Sequence, residues 1–427
     1  MNKLISNKFK SDLFQKFDYS VVINYFILIY AFCLPISRAG VAFATIMLML
    51  LWILQADYKR KLEEIRQSYL ILAIFVFIFY SALAIIWSSD NLFAFVYVKK
   101  YYHFLIIPII YTSLKKEYID KVFSAFLLGM LISEITSYGI FFELWTKAGV
   151  SPHDPSPFMD HSNYSTYLAF TAFILMHKII YTKDLKWRVV YGLFFIFSTS
   201  NLFINGGRTG QFAFLIALCF IGFLSFENKI KATIGTVLLA TVIFSSAYTI
   251  SPVFKSGFDS FTEDFKMMVY NDDYSNDFSV RFGLWVSGAE SYINNPTLLG
   301  VGIGDEKMFA LDVLKRHKLD NQPSSEKAAE NYIDFHNAFV QYLVQLGIVG
   351  FVIFLSIFYF FARLKIKEQT YKNLHILFLI LYINHSMLGL SFHINQSMVI
   401  FVLFSSVFLT IFKYENSPLK VKKIYKN

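Results

Sequence analysis

Four short polar stretches hold the side chains that could do chemistry. The first is Asn205-Gly206-Gly207-Arg208-Thr209-Gly210-Gln211. Two glycines before an arginine permit a sharp turn and close approach of a ligand to backbone. An arginine that opens an apolar run is costly without an anionic partner. The second stretch carries Arg281, with Trp285 and Gly288 at i+4 and i+7, on one face of a helix. That helix is expected over Phe278–Ile293. Asn294, Asn295 and Pro296 end it, since the residue before a proline avoids the helical region. The third is Asp334-Phe335-His336-Asn337, directly against an apolar run. Asp334 is expected to cap that run as a helix and to place His336 in its first turn. A helix start favours anions nearby, and an imidazole there can serve as a general base. The fourth is Met159-Asp160-His161-Ser162-Asn163, after the proline-rich loop from Pro152 to Pro157. It is expected to line a cavity through His161 and Asn163, with His385, His393 and Asn395 as weaker contributors.

Each stretch also has a plainer reading. An arginine at the edge of an apolar run can snorkel to the interface, and a histidine there can be merely interfacial. Gly300-Val301-Gly302-Ile303-Gly304 has no strand before it and no helix after it, so it is not a nucleotide signature. A turn with close backbone packing is expected there. No metal or cofactor is expected, because no zinc motif is present and no Asp-x-Asp pair stands at an outer loop.

The elements that must hold these stretches are membrane helices. Of 427 residues, 56% are hydrophobic and 16% charged, against roughly 25% charged in soluble domains. Mean hydropathy is +0.49. Twelve apolar stretches approach the roughly 20 residues that a crossing needs. They are 20–37, 39–56, 69–87, 101–114, 119–142, 163–181, 189–204, 209–226, 233–250, 337–362, 373–391 and 396–412. The stretch 101–114 is short, and 90–100 is expected to feed it as an interfacial helix. The fold class is therefore an all-α polytopic membrane protein of about twelve spans. Residues 1–250 are expected to hold spans one to nine, and 251–336 one large outward loop carrying part of the site. Residues 337–412 hold the last three spans, and 413–427 form a basic cytoplasmic tail on anionic lipid.

Charge sets the orientation. With the N-terminus in the cytoplasm, 26 of the 39 Lys and Arg fall on the inner side, 8 in the long loop and 5 in the short outer connections. This is the positive-inside bias. It accounts for the net charge of +9 without nucleic acid. Both termini are expected in the cytoplasm. The lysines before the first apolar run, with no cleavage signal after it, read as a retained anchor. Cys33 and Cys219 lie in apolar runs and offer no disulfide framework.

The pattern resembles the bacterial O-antigen ligase and O-antigen polymerase superfamily over about residues 150–360. The resemblance rests on Gly206–Gly210, Arg281–Trp285, Asn295-Pro296 followed by Gly300–Gly304, and the run from His336 to Gly350. The run from His336 is the most specific piece. The family often has serine where this chain has Gly207. The resemblance implies a GT-C-like glycosyltransferase in the bacterial inner membrane, with its site facing the periplasm. The donor would be a glycan on undecaprenyl diphosphate and the acceptor the lipid A-core sugar. Arg208 and Arg281 would hold the diphosphate and His336 would be the base, with Asn337, Trp285, Gly207, His161 and Asn163 lining the site. Within the family, the alternatives are an O-antigen polymerase or a protein O-oligosaccharyltransferase. A transporter or flippase fits less well, because the spans carry few charges, chiefly Glu134, and no repeat.

Overall fold

The structure is a computed structural model that describes residues 18–225, 227–271, 277–294, 296–306 and 334–416. The described chain is helical, with no strand and a single isolated bridge between Ser151 and Asp154. In order the helices are α1 (Tyr19–Cys33), α2 (Arg38–Leu54), α3 (Tyr58–Arg66), α4 (Tyr69–Ala84), α5 (Asn91–Lys99), α6 (Ile106–Ser113), α7 (Ile119–Phe141) and α8 (His161–Tyr181). Then come α9 (Leu185–Ile204), α10 (Arg208–Ser225), α11 (Lys229–Ile250), α12 (Pro252–Asn271), α13 (Asp277–Asn294), α14 (Ala338–Ala362), α15 (Gln369–Met387) and α16 (Asn395–Asn416).

Short polar residues start many of them. Asp18, Ser37, Ser68, Asp90, Asp160, Asp184, Asn228 and Asn337 each accept a backbone N–H of the following turn. Each such cap satisfies donors that the helix itself leaves open.

All twelve apolar stretches are helical. Among the described residues, seven helices are long and apolar enough to cross a membrane, or eight if α2 and α3, bent by 115°, count as one. The expected short span 101–114 is corrected. Asn91–Ser113 forms a single 23-residue candidate, because a 3₁₀ segment at Lys100–Leu105 joins α5 to α6. Within 251–336, α13 forms where a helix is expected over Phe278–Ile293, and α12 precedes it. The part from 307 to 333 lies outside the described residues, as do Asn295 and the tail beyond Asn416. The basic tail begins later than Lys413, which is still in α16. Its ammonium donates to the Tyr111 carbonyl at 2.6 Å and pairs with Glu64 at 3.3 Å.

The bundle is organised around α8 and α16, both buried along most of their length. Aromatic rings fill the interior. Phe77 meets Tyr101, Tyr342, Phe354 and Phe392 at centroid distances of 5.3–6.0 Å, near the optimum for tilted and edge-on rings. Glu134 of α7 is fully buried, and Ser198 of α9 donates to both its oxygens.

One irregularity positions the site. Helix α14 is broken at Gly347, whose φ is +66°. A break inside apolar surroundings frees backbone groups that must find partners. The glycine run supplies them. Val301 and Gly302 donate to the carbonyls of Val344 and Gln345 at 3.0 and 3.1 Å, and Val349 donates to the Leu298 carbonyl at 3.2 Å. Gly300, with φ +83°, lies so close to the break that a Cβ there would overlap the Gln345 carbonyl. Ile303 N then donates to Ser88 Oγ at 2.8 Å, tying the run to the end of α4.

Candidate active site

The first half of the site is built on the starts of α8 and α10. The Gly206-Gly207 turn brings α10 back against α8. An alanine methyl at 207 would overlap the His161 carbonyl oxygen and the Ser165 side chain, and one at 210 would overlap the Ser165 backbone. Gly210 N donates to Ser165 Oγ at 3.1 Å and Ser162 Oγ to Thr209 Oγ1 at 3.2 Å. Gln211 closes the turn from below, donating to the carbonyls of Leu202 and Asn205. The turn leaves Arg208 exposed at its tip, with its guanidinium over Gly257 of α12, where a Cβ would sit 3.2 Å from Nε. Gly207→Ala is therefore expected to cost about 1–3 kcal/mol by overpacking. Gly192→Ala, in open space on α9, should be neutral or stabilising. Unfolding midpoints of the two purified variants test this. Equal midpoints would remove the close-packing argument.

Asp154 completes this half, and sequence reasoning missed it. Its carboxylate accepts from His161 Nδ1 at 2.9 Å, Ser156 Oγ at 3.0 Å and Gly206 N at 3.2 Å. It therefore fixes the imidazole and the arginine turn together. Burial opposes its charge, but the donors from His161 and Gly206 outweigh this and hold its pKa below the usual value. The hydrogen bond to Asp154 raises the His161 pKa, against burial and the positive charge of Arg281. Asn163 is buried. It donates to Asp160 at 2.6 Å and leaves its Oδ1 without a partner among the described residues.

The second half is the start of α14. Here an expectation is corrected: Asn337, not Asp334, caps the helix. Its Oδ1 accepts from Phe339 N at 2.9 Å and Val340 N at 3.2 Å. His336 therefore precedes the helix, at φ +48°. Left-handed backbone is uncommon for a non-glycine residue and is held only where the surroundings enforce it. Asp334 enforces it from the N-terminal side. It accepts His336 N at 2.6 Å and lies 3.4 Å from His336 Nδ1. The His336 side chain is about half exposed, at 49%.

Helix α13 joins the two halves. Gly288 packs so tightly on Val340 and Phe335 that a Cβ would overlap the valine methyl. Seven residues earlier, Arg281 is close enough to His161 to oppose its protonation. Two helical turns, about 10 Å, separate Arg281 from Gly288 along α13. Trp285 lies between, and its indole N–H is buried without a partner among the described residues.

The weaker histidines are held by partners of their own. His385 is buried within α15 against Thr166 Oγ1 at 3.0 Å. His393 stacks on Tyr97 at 3.7 Å and meets Lys100 at 2.9 Å. No three His, Cys, Asp or Glu side chains gather as a metal site among the described residues.

These segments present two arginines, Arg208 and Arg281, and two imidazoles, His161 and His336. A family model described as O-antigen ligase matches residues 193–355. That span takes in Gly207, Arg208, Arg281, Trp285, His336 and Asn337, and leaves out Asp154, His161 and Asn163. No curated protein matches the chain. The match over 193–355 supports membership of the O-antigen ligase and polymerase superfamily.

Proposed function

We propose that this protein is an O-antigen ligase of the inner membrane, transferring a glycan from undecaprenyl diphosphate to the lipid A-core sugar. The scaffold would be a twelve-span, GT-C-like bundle with both termini cytoplasmic and the site at the periplasmic face. The carrying observation is that α13 holds both Arg281, whose charge acts on His161, and Gly288, packed against the residues that flank His336.

The chemistry follows from these groups. An acceptor hydroxyl attacks the anomeric carbon, and His336 takes its proton. The bond from that carbon to the diphosphate oxygen breaks, with inversion. Undecaprenyl diphosphate leaves with a charge that Arg208 and Arg281 hold. Charge-assisted hydrogen bonds are worth about 1.5–3 kcal/mol each, and they catalyse to the extent that they strengthen as charge develops. Asn337, Trp285, Gly207 and Asn163 shape the walls. No step in this scheme draws on a metal.

The lipopolysaccharide of a strain lacking the protein tests this reading. Loss of O-antigen with accumulation of lipid-linked polymer is expected. A single O-unit left on the core would instead show a polymerase, and unchanged lipopolysaccharide would exclude both.

A further inference from the structure

The glycine run does more than repair the break in α14, because it also delivers a carboxylate. Glu306 follows the run and is 3% exposed. Its Oε1 accepts from Gln341 Nε2 and Gln345 Nε2, each at 2.8 Å, and its Oε2 accepts from Gly304 N at 2.7 Å. Both glutamines belong to α14, one turn apart. Gln341 is therefore held with its other end fixed, and that end, Oε1, accepts Phe335 N at 3.0 Å. Phe335 is fully buried and directly precedes His336. A continuous path of hydrogen bonds thus runs from Glu306 through Gln341 to the backbone beside the left-handed His336.

We infer that Glu306 is a positioning residue for His336, acting through Gln341. This rests on His336 as the base. The physical ground is that a residue at φ +48° relaxes unless its flanking peptides are pinned. Asp334 pins one side of His336, and Asn337 starts the helix on the other. The Phe335 amide is the remaining anchor, and it depends on a glutamine whose orientation Glu306 sets. Burial pushes the Glu306 carboxyl up to about 7, against the donors from Gln345, Gly304 and Gln341. A neutral glutamine at 306 keeps an oxygen for Gln341 and Gln345, and its Nε2 takes the place of the oxygen that accepts from Gly304 N.

The test uses the full-length purified protein in lipid, with undecaprenyl-diphosphate-linked glycan as donor and lipid A-core as acceptor. Glu306→Ala is expected to lower kcat by about 10²-fold, the scale of a misplaced catalytic group, with donor KM unchanged. Glu306→Gln should retain most of kcat. Gln341→Leu should reproduce Glu306→Ala, and the double variant should be no worse than either, because both cut one path. Gln345→Leu removes the other partner of Glu306 without touching Phe335 and should be mild. Amide exchange across residues 334–337 should accelerate in Glu306→Ala and Gln341→Leu only. Additive losses, or a Gln345→Leu variant as slow as Gln341→Leu, would show a general structural role and overturn the inference. Wild-type kcat in Glu306→Ala overturns it alone when His336→Ala is inactive. Wild-type kcat in His336→Ala overturns the base assignment beneath it.

Discussion

His336→Ala is expected to lower turnover by about 10²–10⁴-fold, the usual worth of general base catalysis, and to leave donor binding near wild type. The split follows from geometry. The anionic part of the donor would be held by Arg208 and Arg281, neither of which belongs to the His336 segment. Removing the imidazole takes away the proton acceptor and leaves the clamp. Alanine also disfavours φ +48°, so the loop itself could move. His336→Asn separates these effects, since asparagine tolerates left-handed backbone better than most residues but cannot serve as the base. If His336 is the base, Asn should be as inactive as Ala at full yield. Turnover and donor binding are measured on the same purified preparations. Wild-type turnover in well-folded His336→Asn would falsify the assignment. The proton would then have to pass to water or another residue such as His161.

Much of the helical frame was legible because membranes write a coarse code. Apart from 101–114, which belongs to the longer Asn91–Ser113, the apolar stretches became helices with bounds shifted by a few residues, since backbone in hydrocarbon must satisfy itself internally. What the pattern hid was everything set by contact. The amphipathic α12 reads as polar chain, because its helix is stabilised by α11 and α13 rather than by its own apolarity. The break at Gly347 lies in an unbroken apolar run, and only the backbone of the glycine loop reveals why it is tolerated.

The site shows the same division. Arg208, Arg281 and His336 stand out because charge and imidazole at the edge of apolar runs are conspicuous. Their partners are not. Asp154 lies in a proline-rich loop seven residues before His161, and only the turn at 206 shows that one carboxylate serves both. Glu306 looks like one more charge in a polar stretch, yet it is buried under α14. Asp334 and Asn337 are both good cap residues, so residue type does not decide between them. The observed φ at His336 does. With His336 left-handed, the helix can start only after it, and Asn337 takes the cap.

Arg208→Lys and Arg281→Lys are each expected to lower kcat/KM by about 10- to 100-fold, the loss of one charge-assisted hydrogen bond of 1.5–3 kcal/mol. Lysine keeps the charge but loses the planar fork that matches phosphate oxygens. The two arginines reach the site from different elements. Arg208 stands at the tip of the turn, over Gly257, and Arg281 comes from α13 beside His161. If both bind one diphosphate, their effects should be coupled, with a double variant departing from the sum of the singles. Arg281 offers a check that needs no substrate. Its charge opposes protonation of His161, so Arg281→Gln should raise the His161 pKa further, whereas Arg281→Lys should change it little. The His161 titration can be followed by NMR of ring-labelled histidine, with Asp154→Asn as the opposite control, which should lower it. Full activity in both lysine variants would remove the diphosphate clamp. An unmoved His161 titration in Arg281→Gln would separate α13 from the α8 half of the site, and with it the proximity on which the clamp depends.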